Sequence, residues 1–280
     1  MSSLQTQAVT LIVSILLVSL SLCHFLCNHQ WTNESIIKAP YDSALKTTTR
    51  YTTSAAPLVS NDSNWAGYVA TSDLQNPQAT VAGVSASWVV PRVITSVQNE
   101  FSAIWIGIGG FFDQTLIQTG TEQDSIQGQS EYSAWYELLP QNSVTIDTIT
   151  VSPGDQISAS IQLVNSNTNE WIIDIKDITT NQEYNSNFFY AASKLSAEWI
   201  VERPEISTRR SQGTLANLAN IGNVVLTGCQ ANVGGKSGSI SSFPVTESVM
   251  YSTVDRTSGA GVTQLAAVSD LTGNGSSFAV

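Results

Sequence analysis

Leu116-Ile117-Gln118-Thr119-Gly120 alternates so that Gln118 shares a face with Leu116 and Gly120, while Ile117 and Thr119 point the other way. Ser196-Ala197-Glu198-Trp199-Ile200-Val201-Glu202-Arg203-Pro204 repeats the pattern: Glu198, Ile200 and Glu202 point together, opposite Trp199 and Val201. Between them, Tyr132-Ser133-Ala134-Trp135-Tyr136-Glu137-Leu138 places Trp135 on a face with Ser133 and Glu137. Outward from these, short β-branched and aromatic runs follow one another, separated by Gly, Asn, Asp and Pro, as in an antiparallel sandwich. The pattern predicts strands at 64–70, 80–90, 102–108, 115–121, 132–138, 144–151, 156–164, 171–178, 197–203, 224–229, 245–251 and 261–268, with 276–280 closing a sheet. No helical periodicity of comparable length follows residue 30, and no fixed repeat is visible. The fold class is all-β, and a sheet face carrying Gln118, Trp135, Glu137, Glu198 and Glu202 is a candidate ligand groove.

The two histidines, His24 and His29, lie at the extreme N-terminus, so the body of the chain has no imidazole. A Ser-His-Asp or Cys-His triad and a His-rich hydrolytic zinc site are disfavoured, since each needs imidazole as base or ligand. Acid-base work falls to carboxylates, and neither a metal nor a cofactor is implied. The 22 Asp+Glu against 11 Lys+Arg give a net charge of -11, which opposes binding to nucleic acid or an anionic membrane surface. The charged fraction is 12%, about half the usual share for a soluble domain. Ser, Thr, Asn and Gln carry the surface instead, which lowers the charge that acid must neutralise. Cys23 and Cys27 belong to the N-terminal apolar segment, leaving Cys229 alone in the body; this is no disulfide framework, and Cys229 reads as a small buried side chain.

Residues 1–28 read as a signal peptide or a membrane anchor: 8–22 is nearly all Val, Ile, Leu and Ser. The apolar stretch is intermediate between a signal core and the roughly 20 residues of a membrane-crossing helix. Either reading exports the chain, so the expected product is secreted or extracellular, anchored to a membrane only if this segment is retained. Residues 29–58 are polar and Thr-rich, with Lys38, Lys46 and Arg50, and read as a linker or propeptide. Residues 59–280 form the expected β-sandwich domain, working as a monomer.

Six segments in fixed order carry a resemblance: Ser63-Asn64-Trp65-Ala66-Gly67-Tyr68, Ala86-Ser87-Trp88-Val89-Val90-Pro91, Ile104-Trp105-Ile106-Gly107-Ile108-Gly109-Gly110, Leu116-Ile117-Gln118-Thr119-Gly120, Ala134-Trp135-Tyr136-Glu137-Leu138-Leu139-Pro140 and Ala197-Glu198-Trp199-Ile200-Val201-Glu202. With the closing Gly275-Ser276-Ser277-Phe278-Ala279-Val280, they make the region from about residue 60 onward similar to the glutamic peptidases (eqolisins, family G1). The resemblance implies a concanavalin A-like sandwich of two curled antiparallel sheets and an acid endopeptidase acting on polypeptides. It implies a catalytic dyad at Gln118 and Glu202. Departures occur at Gly109 and Ser133, where the family often has acidic residues, and at Glu122, which replaces a common aspartate.

The chemistry is sound by itself. An ionised Glu202 can take a proton from the attacking water and return it to the leaving nitrogen, while the Gln118 amide donates toward the oxyanion. Trp65, Trp105, Trp135, Glu137 and Glu198 are the candidate substrate-binding residues, although buried tryptophan is common in sandwich cores. Glu198 and Glu202 stand about 13 Å apart along one strand, too far to act together on one bond. Glu137 with Glu202, across neighbouring strands, leaves a glycoside hydrolase open, and a carbohydrate-binding sandwich without catalysis would show the same composition.

Overall fold

A computed structural model describes residues 57–208, 211–253 and 261–280. The segments read as signal or anchor, 1–28, and nearly all of the linker or propeptide, 29–58, lie outside the described residues. Among the described residues no helix is long and apolar enough to cross a membrane.

Among the described residues the regular structure is almost all strand. In order come β1 (Leu58–Asp62), β2 (Trp65–Thr71), β3 (Val81–Val89), β4 (Glu100–Phe101), β5 (Ala103–Gly109), β6 (Leu116–Ile126), β7 (Gln129–Leu138) and β8 (Val144–Thr145). Then follow β9 (Gln156–Asn165), β10 (Glu170–Asp177), β11 (Gln182–Phe189), β12 (Ser196–Glu202), β13 (Glu205–Thr208), β14 (Ser211–Leu215) and β15 (Asn217–Leu218). The last are β16 (Val225–Val233), β17 (Lys236–Ser239), β18 (Val245–Tyr251), β19 (Gln264–Ala266) and β20 (Phe278–Ala279). The larger sheet runs β1-β18-β2-β12-β5-β6-β4-β15, with β7 paired to β6, β8 to β7 and β19 to β18. The smaller runs β11-β10-β9-β3-β16-β17, with β20 on β16, and β13 and β14 form a separate hairpin.

The sheets face each other because each strand turns its apolar positions inward. Ile104, Ile106, Ile108 and Ile117 from the larger sheet meet Val84, Trp88, Ile157, Ile161 and Ile173 from the smaller. Full burial of one such side chain contributes about 1.5–3 kcal/mol. The buried indoles also satisfy their N–H groups across the gap: Trp88 donates to Thr121 Oγ1 at 3.0 Å and Trp199 to the Ser85 carbonyl at 2.9 Å. Cys229 is buried and free, and desolvation pushes its thiol well above the ordinary range, as its reading as a packing residue requires.

Several expectations are corrected. The expected strand at 144–151 shrinks to Val144–Thr145; Ile146, Ile149 and Val151 are buried from turns, so their apolar spacing imitated a strand. The expected strand at 261–268 contracts to Gln264–Ala266. β11, Gln182–Phe189, was not expected because it is an edge strand whose alternate residues are exposed, and too polar to stand out. The two sheets are antiparallel as expected except at two pairs, where β1 runs parallel to β18 and β15 to β4.

Candidate active site

Register fixes which side chains meet on the outer face of the larger sheet. Crossing β2, β12, β5, β6 and β7, a first row reads Val69, Glu198, Gly107, Gln118, Glu137. The next row on the same face reads Gly67, Ile200, Trp105, Gly120, Trp135, and the third Trp65, Glu202, Ala103, Glu122, Ser133. All seven candidate residues thus share one face. They are also buried: Glu137 and Glu198 are 0% exposed, Gln118 2% and Glu202 5%. Trp65, Trp105 and Trp135 join Phe111, Leu116 and Leu139 in a hydrophobic cluster separate from the inter-sheet core.

Trp105 sits at the centre. Its Nε1–H donates to Glu202 Oε2 at 2.6 Å, a short bond of the kind made to carboxylates. The far edge of the indole lies over Gly107, where an added Cβ would come within 2.8 Å of the ring. At Gly120 an added Cβ would meet the Ile104 carbonyl oxygen at 2.1 Å and Trp105 Cβ at 2.6 Å. The two glycines beside Trp105 therefore make room for one indole, which spans from the Gln118 row to Glu202. Trp65 and Trp105 touch edge to face, with centroids 5.0 Å apart, although β12 lies between their strands. Side chains of this face converge over β12.

The Gln118 amide is set by Glu137: Nε2 donates to Glu137 Oε2 at 2.5 Å. This orients the nitrogen toward Glu137 and leaves Oε1 without a hydrogen bond. An amide nitrogen carries two N–H groups, so one remains for a ligand. Gln118 and Glu202 lie on β6 and β12 with β5 between, on the first and third rows, and Trp105 occupies the midpoint of that diagonal.

Two residues that the sequence reading missed hold the frame. The Tyr190 hydroxyl donates to the Leu139 carbonyl and accepts from the Leu116 N–H, each at 2.8 Å, clamping the ends of β6 and β7 nearest Gln118 and Glu137. Burial, partly offset by the Leu116 N–H, pushes that hydroxyl up to about 12. Arg203, 8% exposed, donates from Nη2 to the carbonyls of Ser63 and Ser252 at 2.8 and 3.1 Å, tying the strand end after Glu202 to β2 and β18. Tyr190 lies outside the matching segments, and Arg203 follows the last of them, so no local pattern marked either.

The proposed pairing of Glu137 with Glu202 across neighbouring strands is corrected. β6 and β5 separate β7 from β12, and the two glutamates occupy different rows. Glu137 instead neighbours Gln118 in its own row and accepts from its amide.

The sequence model of the Peptidase A4 family matches residues 63–269, a span containing every residue named in the three rows. The chain belongs to the Peptidase A4 family, the glutamic peptidases. Aspergillopepsin-2 of Aspergillus niger is 29% identical over 196 residues, covering 62% of this chain and 66% of that protein, just under two thirds of its length. In fold the chain is similar to scytalido-glutamic peptidase solved with a transition state analog inhibitor, with a TM-score of 0.63 and 23% identity over 78% of this chain and 97% of that one. It is also similar to aspergilloglutamic peptidase from Aspergillus niger, with a TM-score of 0.50 and 25% identity over 64% and 97% of the two chains. The sandwich of two large sheets is the eqolisin fold.

Proposed function

We propose that the chain is an extracellular acid endopeptidase in which Glu202 and Gln118 form the catalytic dyad. The observation that carries this reading is the buried Glu202 carboxylate, held by the Trp105 N–H on the same face as an amide whose nitrogen is oriented by Glu137. Ionised Glu202 accepts a proton from water as the water oxygen bonds to the peptide carbonyl carbon. The negative charge that develops on the carbonyl oxygen meets the second N–H of Gln118. Glu202 then passes its proton to the peptide nitrogen, the C–N bond breaks, and an acid and an amine leave. One carboxyl acts as base and then acid, so the cycle consumes only water. Trp105 keeps Glu202 in one orientation through both transfers, and Glu137 does the same for the amide. Glu198, in the Gln118 row, supports the groove without taking the proton.

Purified full-length Glu202→Gln should stay folded by near-ultraviolet circular dichroism and lose at least about 10³-fold in hydrolysis of a denatured protein at acid pH. Glu198→Gln should keep measurable activity. A Glu202→Gln protein of wild-type rate would remove the assignment, and specific sugar binding with no proteolysis in wild type would favour a carbohydrate-binding sandwich.

A further inference from the structure

The third row of the groove holds a carboxylate that this mechanism leaves unused. Glu122 lies across Ala103 from Glu202, both side chains on the groove face, with Ser133 next to it on β7. Adjacent strands are about 4.8 Å apart, which places the two glutamate backbones about 10 Å from each other with only a methyl group between. Ser133 Oγ donates to Glu122 Oε2 at 3.1 Å, steering the carboxylate. Exposure rises along this direction: Trp105 is 0% exposed and Glu202 5%, Glu122 and Ser133 are half-buried, and Glu131 beyond them is exposed. The groove therefore opens to solvent over Glu122.

No Lys or Arg stands in any of the three rows, and the described ion pair, Lys176 with Glu183, belongs to the smaller sheet. In the first row, Gln118 Oε1 is buried and accepts no hydrogen bond from the protein. A peptide N–H would satisfy it.

We infer that Glu122, steered by Ser133, is a specificity residue that selects peptides carrying a Lys or Arg side chain beside the scissile bond. This rests on the peptidase reading above. A peptide whose scissile carbonyl lies over the Gln118–Glu202 diagonal crosses the third row on its way out, and a neighbouring side chain falls on Ala103 and Glu122. Ala103 leaves space for an aliphatic stem, and Glu122 meets the cationic head.

The test uses the full chain and a set of quenched peptides that differ only in Lys, norleucine or Glu at each position flanking the cleaved bond. Wild type should favour Lys over norleucine in kcat/KM by about fivefold at one position, the scale of a half-exposed ion pair. Glu122→Gln should bring that ratio to about one, and Glu122→Lys should turn the preference toward Glu at the same position. The wild-type ratio should also shrink as salt is raised from 0.05 to roughly 0.5 M, because the pair is partly open to solvent. A wild-type enzyme that cleaves all three peptides equally, or a Lys preference that survives in both variants, overturns the inference while leaving the peptidase reading intact. Failure to cleave any peptide at any pH would instead strike the peptidase reading itself.

Discussion

Within the larger sheet, Ile104, Ile106, Ile108 and Ile117 face the smaller sheet while Trp105, Gln118 and Glu202 face outward, and both sets are buried to nearly the same degree. The inward face is closed by a second sheet; its centre is apolar but for hydroxyls and amides such as Thr121 and Gln123, and Glu247 lies half-buried on it at β18. The outward face is closed by its own tryptophans and by the turn at Phe111, and it keeps glutamates and a glutamine among them. Burial of a carboxylate is costly unless it is hydrogen-bonded. Full burial of such groups on one face, beside an apolar centre on the other, arranges the first for chemistry and the second for stability.

The comparison can be broken by changing one face at a time. Gln118→Ala should cut kcat by about 10²–10³, the usual cost of one oxyanion donor, with the melting temperature little changed; an equal loss of stability and activity would place Gln118 in the structural face instead. Ile106→Ala, one strand away and facing the other sheet, should destabilise by about 2–5 kcal/mol in denaturant unfolding while each folded molecule keeps its activity. Trp105→Phe keeps the ring over Gly107 but removes the N–H on Glu202, and should lower kcat about tenfold with KM nearly constant; a rise in KM alone would make Trp105 a substrate contact.

The smallest effect concerns a carboxyl outside the groove. Glu247 on β18 is the register partner of Tyr68, and burial, then the charge of Asp270, raises its carboxyl above the ordinary value. A carboxyl raised in the folded state supports the fold fully below its unfolded value, and that support is lost as pH rises through the folded one. Glu247→Gln should therefore raise Tm by about 2 °C at neutral pH and leave it nearly unchanged in acid, as read by thermal scans at both pH values.

The strands bearing the site were legible in the sequence because period-two alternation fixes both strand and face, and register then only had to align faces already assigned. Gln118, Trp135 and Glu202 fall on the expected face for this reason. The order of strands was not legible. Nothing local says that β5 and β6 separate β12 from β7, and so Glu137 was set beside Glu202 when it belongs beside Gln118. The role of Trp105 was hidden likewise: its partner lies 97 residues away in sequence, and the glycines that accommodate its ring mean nothing until three strands are aligned. Tyr190 was missed because a hydroxyl clamp on two backbone groups has no sequence spacing at all.

Whether Gln118 and Glu202 act as one unit is measured most directly by a double-mutant cycle on acid hydrolysis of a single peptide, using Glu202→Gln, Gln118→Ala and the two together in the full chain. Residues that serve one transition state are strongly non-additive. The account predicts that the double variant is no slower than Glu202→Gln alone to within about threefold, because without the base there is no oxyanion for the amide to meet. A double variant whose loss equals the product of the two single losses would mean that the residues act independently, and would contradict the dyad.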